Sequence, residues 1–133
     1  MPFVVDASVT ASWLLPDEGA VEADKAFALL ASDHALVPPL WWFEIRNVFI
    51  TNERRGRIGA EQSGRALGLL SGLPLQVDHN VEEAHLMRLA RDHRLSVGDA
   101  AYLELALRAA VSLATLDAAL AEAARGERVA LIG

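Results

Sequence analysis

The feature that most constrains this chain is a set of five very short apolar runs, separated by stretches long enough to hold helices. They are residues 3–5 (FVV), 35–37 (ALV), 75–77 (LQV), 111–114 (VSLA) and 129–132 (VALI). None has more than one polar residue, Gln76 in the third and Ser112 in the fourth. A strand with one wet face alternates polar and apolar side chains. A strand apolar throughout is covered on both faces, as parallel strands under two layers of helices are. Helical periodicity fills the gaps, at residues 8–15, 20–32, 40–55, 60–70, 81–92, 99–109 and 118–124. The expectation is a three-layer α/β/α domain around a central parallel sheet of about five strands, with right-handed crossovers.

Local signals mark the boundaries. Pro38 and Pro39 stop the second run, Pro16 follows the first helix, and Gly56 closes the long helix at 40–55. Asn80 with Glu83 three residues on reads as a capping box, and Ser96 as a cap with Asp99 at the third helical position. The 133 residues suit a single domain spanning 1–133, with no repeat, linker or low-complexity tract. An apolar fraction of 53% against 23% charged residues argues against disorder. The absence of cysteine removes disulfides, thiolate zinc sites and thiol catalysis. No basic leader opens the sequence and no run of about 18 apolar residues occurs, so a cytoplasmic protein with no membrane partner is expected.

What chemistry remains rests on carboxylates, and four stand in unusual places. Asp6 follows FVV at the carboxyl end of the first strand, where sites in open α/β sheets form. It is equally placed to cap the next helix. Asp117 follows the fourth strand within Thr115-Leu116-Asp117, again as a cap or as a ligand with Thr115 to orient a neighbour. Glu44 lies inside the apolar helix PPLWWFEIRNVFI, either with its stem over the core and its head in water, or projecting into the mouth of the sheet. Asp99 stands at a helix start, where free backbone N–H groups already favour a carboxylate. Tyr102 shares its face. Carboxylates that converge without histidine or cysteine suit Mg²⁺ or Mn²⁺, and holding like charges together is costly until a cation neutralises them.

The net charge of −6 argues against a broad nucleic-acid surface. The average hides a local reversal: residues 44–65 carry five arginines against three glutamates, a net +2. Arg46, Arg54, Arg55 and Arg57 are the candidate phosphate contacts, and a solvated helix end accounts for them equally well. Trp41, Trp42 and Phe43 are consecutive and cannot share one helix face, so at least one must approach the surface, a partner or RNA. The four histidines, His34, His79, His85 and His93, are scattered and read as surface or supporting residues.

These pieces together resemble the PIN domain, and most closely the VapC-type toxin ribonucleases of type II toxin–antitoxin pairs. The resemblance lies in VVDASV with Asp6 and Ser8, VPPLWWFEIRNVF with Glu44 and Asn47, LSVGDAAYLELA with Asp99, and LATLDAAL with Thr115 and Asp117. The basic NERRGRI segment also fits, and the pieces run in family order along essentially the whole chain. The resemblance implies a Mg²⁺-dependent endoribonuclease, with Mn²⁺ as a substitute, that leaves 5′-phosphate and 3′-hydroxyl ends. Asp6, Glu44, Asp99 and Asp117 take the acidic catalytic and metal positions, supported by Ser8, Asn47 and Thr115. It also implies a homodimer, a cognate antitoxin that alone contacts DNA, and structured RNA substrates, transfer RNA included. One departure is visible. Members often carry a larger residue, commonly tyrosine, before the third acidic position, where this chain has Gly98.

Two other readings stand beside this one. A non-catalytic PIN-like regulator that binds RNA or protein would keep the fold without the chemistry. A receiver-like phosphoacceptor domain also places acids at strand ends, but it needs a late lysine, and the sole lysine here is Lys25.

Overall fold

The computed structural model describes residues 1–15 and 19–133; the helix stop read at Pro16 lies outside them. The elements run β1 (Phe3–Val5), α1 (Ala7–Leu14), α2 (Val21–Leu29), β2 (Ala35–Val37), α3 (Leu40–Arg54), α4 (Ala60–Ser71), β3 (Leu75–Val77), α5 (Glu83–His93), α6 (Val97–Ala109), β4 (Ser112–Ala114) and α7 (Ala118–Gly126). The four strands form one sheet in the order β3-β2-β1-β4, every pairing parallel. Phe3 pairs with both Ala35 and Ser112, so β1 sits in the middle.

Burial of the strands matches their composition. Every residue of β1 and β2 is buried, on both faces of the sheet. Each such valine or leucine contributes roughly 1.5–3 kcal/mol relative to exposure. β3 is one of the two edge strands, and alone among the four it carries an exposed residue, Gln76. Helix α6 lies along β1, β2 and β4 and against α5 and α7, while α1 packs on α2 and α3. No helix among the described residues is long and apolar enough to cross a membrane.

Two local expectations change. The fifth strand, at 129–132, is reduced to one parallel bridge between Leu113 and Leu131. It is tied by Leu113 N–H to the Ala130 carbonyl and Ile132 N–H to the Leu113 carbonyl. The capping box at Asn80 does not form. Asp78 takes the Asn80 N–H, and the Arg108 guanidinium donates to the Asn80 carbonyl. The helix starts only at Glu83, after Glu82 has donated its N–H to the buried Glu104. A tertiary network outcompetes the local cap.

The termini read at Ser96 and Gly56 hold. Ser96 Oγ accepts the Asp99 N–H at 3.0 Å. Gly56 has φ +71, the left-handed conformation that lets the chain leave α3 without a Cβ penalty.

Candidate functional site

The strand order fixes where a site can form. From β1 the chain moves to β2 and then β3 on one side; it then crosses back to place β4 on the other. The segments leaving β1 and β4 therefore depart in opposite directions, and a crevice opens beyond their carboxyl ends. Asp6 and Asp117 stand on its two sides. Glu44 enters from α3, which follows β2, and Asp99 from the first turn of α6.

Asp6 is 5% exposed and fully engaged. Its Oδ1 accepts the Ser8 hydroxyl at 2.6 Å and the Val9 N–H at 3.0 Å, and its Oδ2 accepts the Thr115 hydroxyl. Capping and site placement thus coexist in one side chain. Thr115 Oγ1 also accepts the Asp117 N–H at 3.0 Å, which ties the two strand ends together. Ser8 does the same through Leu116, whose N–H donates to its hydroxyl at 3.0 Å. Asp117 caps α7 by accepting the Leu120 N–H at 2.9 Å. Glu44 accepts the hydroxyl of Tyr102.

The electrostatics link all four carboxylates. Burial raises the Asp6 pKa, against the pull of its Ser8, Thr115 and Val9 hydrogen bonds, and the charge of Asp117 raises it further. Burial also raises Glu44; the Tyr102 hydrogen bond opposes this, and the charges of Asp99 and Asp6 add to it. Asp99 is raised by burial and by Asp117, with Ser96 opposing. The repulsions close a ring, Asp6 to Asp117 to Asp99 to Glu44 and back. None of the four forms an ion pair with lysine, arginine or histidine among the described residues.

The donor set suits a hard cation, being all oxygen and mutually repelling. Among the described residues no three carboxylate or imidazole groups already stand at ligand spacing. The arrangement is therefore a loose ring of carboxylates and not a closed ligand set.

The supporting residues divide. Ser8 and Thr115 both donate their hydroxyls to Asp6. Asn47 is exposed and makes no hydrogen bond to a carboxylate among the described residues. Arg46 stacks on Trp42, 3.7 Å from the ring centroid, and donates to the Trp42 carbonyl. Arg54, Arg55 and Arg57 are exposed at the end of α3 and form no ion pair among the described residues. Of the aromatic run, Trp41 is buried and donates its indole N–H to Thr10, while Trp42 and Phe43 are exposed. His93 pairs with Glu127 and His85 with Arg88, so neither reaches the ring. Tyr102 is the residue whose contact with Glu44 was missed. Its spacing from Asp99 marked a shared face, but no local signal announces a partner 58 positions away.

The PIN domain family profile matches residues 3–126. The chain belongs to the PIN domain family. This PIN domain is 33% identical over 126 residues to Ribonuclease VapC3 of Pyrobaculum aerophilum, an alignment covering 92% of this chain and 94% of that protein. The crystal structure of PAE2754 from Pyrobaculum aerophilum superposes with a TM-score of 0.75 at 21% identity, covering 99% of this chain and 90% of that one. VapC20 of Mycobacterium tuberculosis, described as a sarcin-ricin loop cleaving toxin, gives a TM-score of 0.61 at 17% identity, covering 92% and 95%. At those identities the two structures bear on the fold of the PIN domain alone.

Proposed function

We propose that this PIN domain is a metal-dependent endoribonuclease, the toxin of a type II toxin–antitoxin pair, hydrolysing RNA phosphodiester bonds. One observation carries the reading: four carboxylates from four separate segments repel one another around the sheet's crevice, with no ion pair to a cationic side chain among the described residues. The likeness to Ribonuclease VapC3 supports RNA as the substrate.

Mg²⁺, or Mn²⁺ in its place, supplies Lewis acidity, activates water and stabilises the departing oxygen when bound. Asp6 and Asp117 are the direct ligands, one on each side of the crevice, and Glu44 and Asp99 complete the set. Thr115 and Ser8 hold Asp6 in one orientation, so its carboxylate needs little reordering. Arg54, Arg55 and Arg57 bind the RNA backbone. Arg46, held over the Trp42 ring, adds a further positive charge on the same helix. Exposed Trp42, Phe43 and Ile50 on α3 belong to the surface that meets the cognate antitoxin or a second copy of the chain, with DNA reached only through the antitoxin. The working location is the cytoplasm.

The test is cleavage of total RNA by purified protein in Mg²⁺, Mn²⁺ or EDTA, with product ends mapped. Cleavage should require the cation, leave 5′-phosphates, and vanish in folded Asp6→Asn and Asp117→Asn variants. Cleavage that persists in EDTA and in both variants contradicts the proposal.

A further inference from the structure

Tyr102 is the only tyrosine in the chain and is 1% exposed. It lies one helical turn after Asp99 on α6, and its hydroxyl donates to Oε1 of Glu44 on α3. The backbone of Ala7, next to Asp6, adjoins the same phenol oxygen, whose proton is held by burial and by Glu44. A single buried hydroxyl therefore touches or adjoins the segments that carry Asp6, Glu44 and Asp99. The other oxygen of Glu44 is differently placed. Oε2 accepts no hydrogen bond among the described residues. It lies on the side of Gly98, 3.9 Å from where a Cβ at that position would sit. The same Cβ would come within 3.0 Å of Leu40 Cδ1. The missing side chain at Gly98 keeps that side of the carboxylate open.

We infer that Tyr102 is a positioning residue of the metal centre, fixing Oε1 of Glu44 so that Oε2, on the Gly98 side, is the oxygen left to ligate. This rests on the metal-dependent reading above. A glutamate is among the most flexible side chains, and ordering it on binding costs rotamer freedom. A donor already locked in the core removes that cost before the cation arrives. Outer hydrogen bonds that orient ligands commonly tune metal affinity about 10–100-fold.

The test compares calorimetric titrations of Mn²⁺ into the wild-type chain and Tyr102→Phe, with thermal unfolding of both metal-free proteins as a control. The phenylalanine ring keeps the packing and removes only the hydroxyl. Mn²⁺ affinity should fall about 10–100-fold. An unchanged affinity overturns the inference even if the variant is less stable, because a purely structural hydroxyl would alter unfolding alone. Wild-type protein that binds no Mn²⁺ overturns the metal-dependent reading itself, and this inference with it.

A second measurement keeps the Tyr102 hydroxyl. Incorporation of 3-fluorotyrosine places one ¹⁹F resonance in the chain, at Tyr102. Titration with Mg²⁺ should shift it with the midpoint measured calorimetrically for the same ion. A resonance that stays fixed while Mg²⁺ binds overturns the inference.

Discussion

Two groups of acidic residues in this PIN domain sit in opposite electrostatic situations. At the crevice, Asp6, Glu44 and Asp99 have raised pKa values, from burial first and then from neighbouring carboxylates. Away from it, Glu127 is held down at about 2 by Arg88 and His93, and Glu104, 1% exposed, is clamped by the Arg108 guanidinium. The described residues thus place cations beside Glu127 and Glu104 and none beside the crevice carboxylates. Glu127 and Glu104 are balanced internally and hold elements together. The ring has no such internal partner among the described residues, and its self-repulsion is a folding cost that the proposed cation would relieve.

The sharpest way to break this comparison is to remove one charge from each group. Asp117→Asn should lower RNA cleavage by about 10³-fold, on the scale of deleting one preorganised electrostatic contact to a transition state. Its fold should persist, since an asparagine still caps α7. Arg108→Ala should instead leave cleavage chemistry untouched per folded molecule and cost about 3–5 kcal/mol of stability in urea unfolding, because Glu104 is left buried and uncompensated.

A smaller effect comes from the cation alone. Mg²⁺ or Mn²⁺ at about 100 times its Kd should stabilise the wild-type fold by about 2.7 kcal/mol, with EDTA reversing the gain. Metal-free Asp99→Asn should unfold at a higher temperature than metal-free wild type at pH 7, since its raised carboxyl pKa marks an ionised form that the fold disfavours.

Solvent screens the partly exposed Arg88–Glu127 pair, so the pH dependence of Glu127 is the smallest expected effect. A carboxyl lowered to about 2 from its ordinary 4.5 contributes stability that is complete above about pH 4.5 and lost as pH falls toward 2. Glu127→Gln should flatten that limb of the stability profile. The raised crevice carboxylates act with the opposite sign, so acidification should relieve them in the metal-free protein while it weakens Glu127.

Much of this was legible in the sequence, and the losses share one cause. Runs such as FVV and ALV, apolar on both faces, are enough to imply a covered parallel sheet, and Asp6 and Asp117 at strand ends imply its crevice. What could not be read were interactions made across the fold. Asn80 and Glu83 have the spacing of a capping box, yet Arg108 and Asp78 take the groups it needs. Glu104 and Arg108 are spaced as a surface pair, and nothing local shows that Glu104 is buried. Asn47 has a helical register with Glu44 and still faces solvent. Tyr102 reaches Glu44 only because α3 and α6 meet at the carboxyl end of the sheet. The fifth run is present but short, a single parallel bridge at Leu131, for a related reason: composition announces a strand, while its length depends on neighbours.

The central claim is that the crevice carboxylates await a cation the chain does not provide. Calorimetric titration of Mn²⁺ into metal-free wild type and Asp6→Asn tests it most directly. The account predicts saturable binding to the wild type that is weakened by at least about tenfold in a folded Asp6→Asn variant. Equal binding by the two proteins, or none by a well-folded wild type, contradicts it.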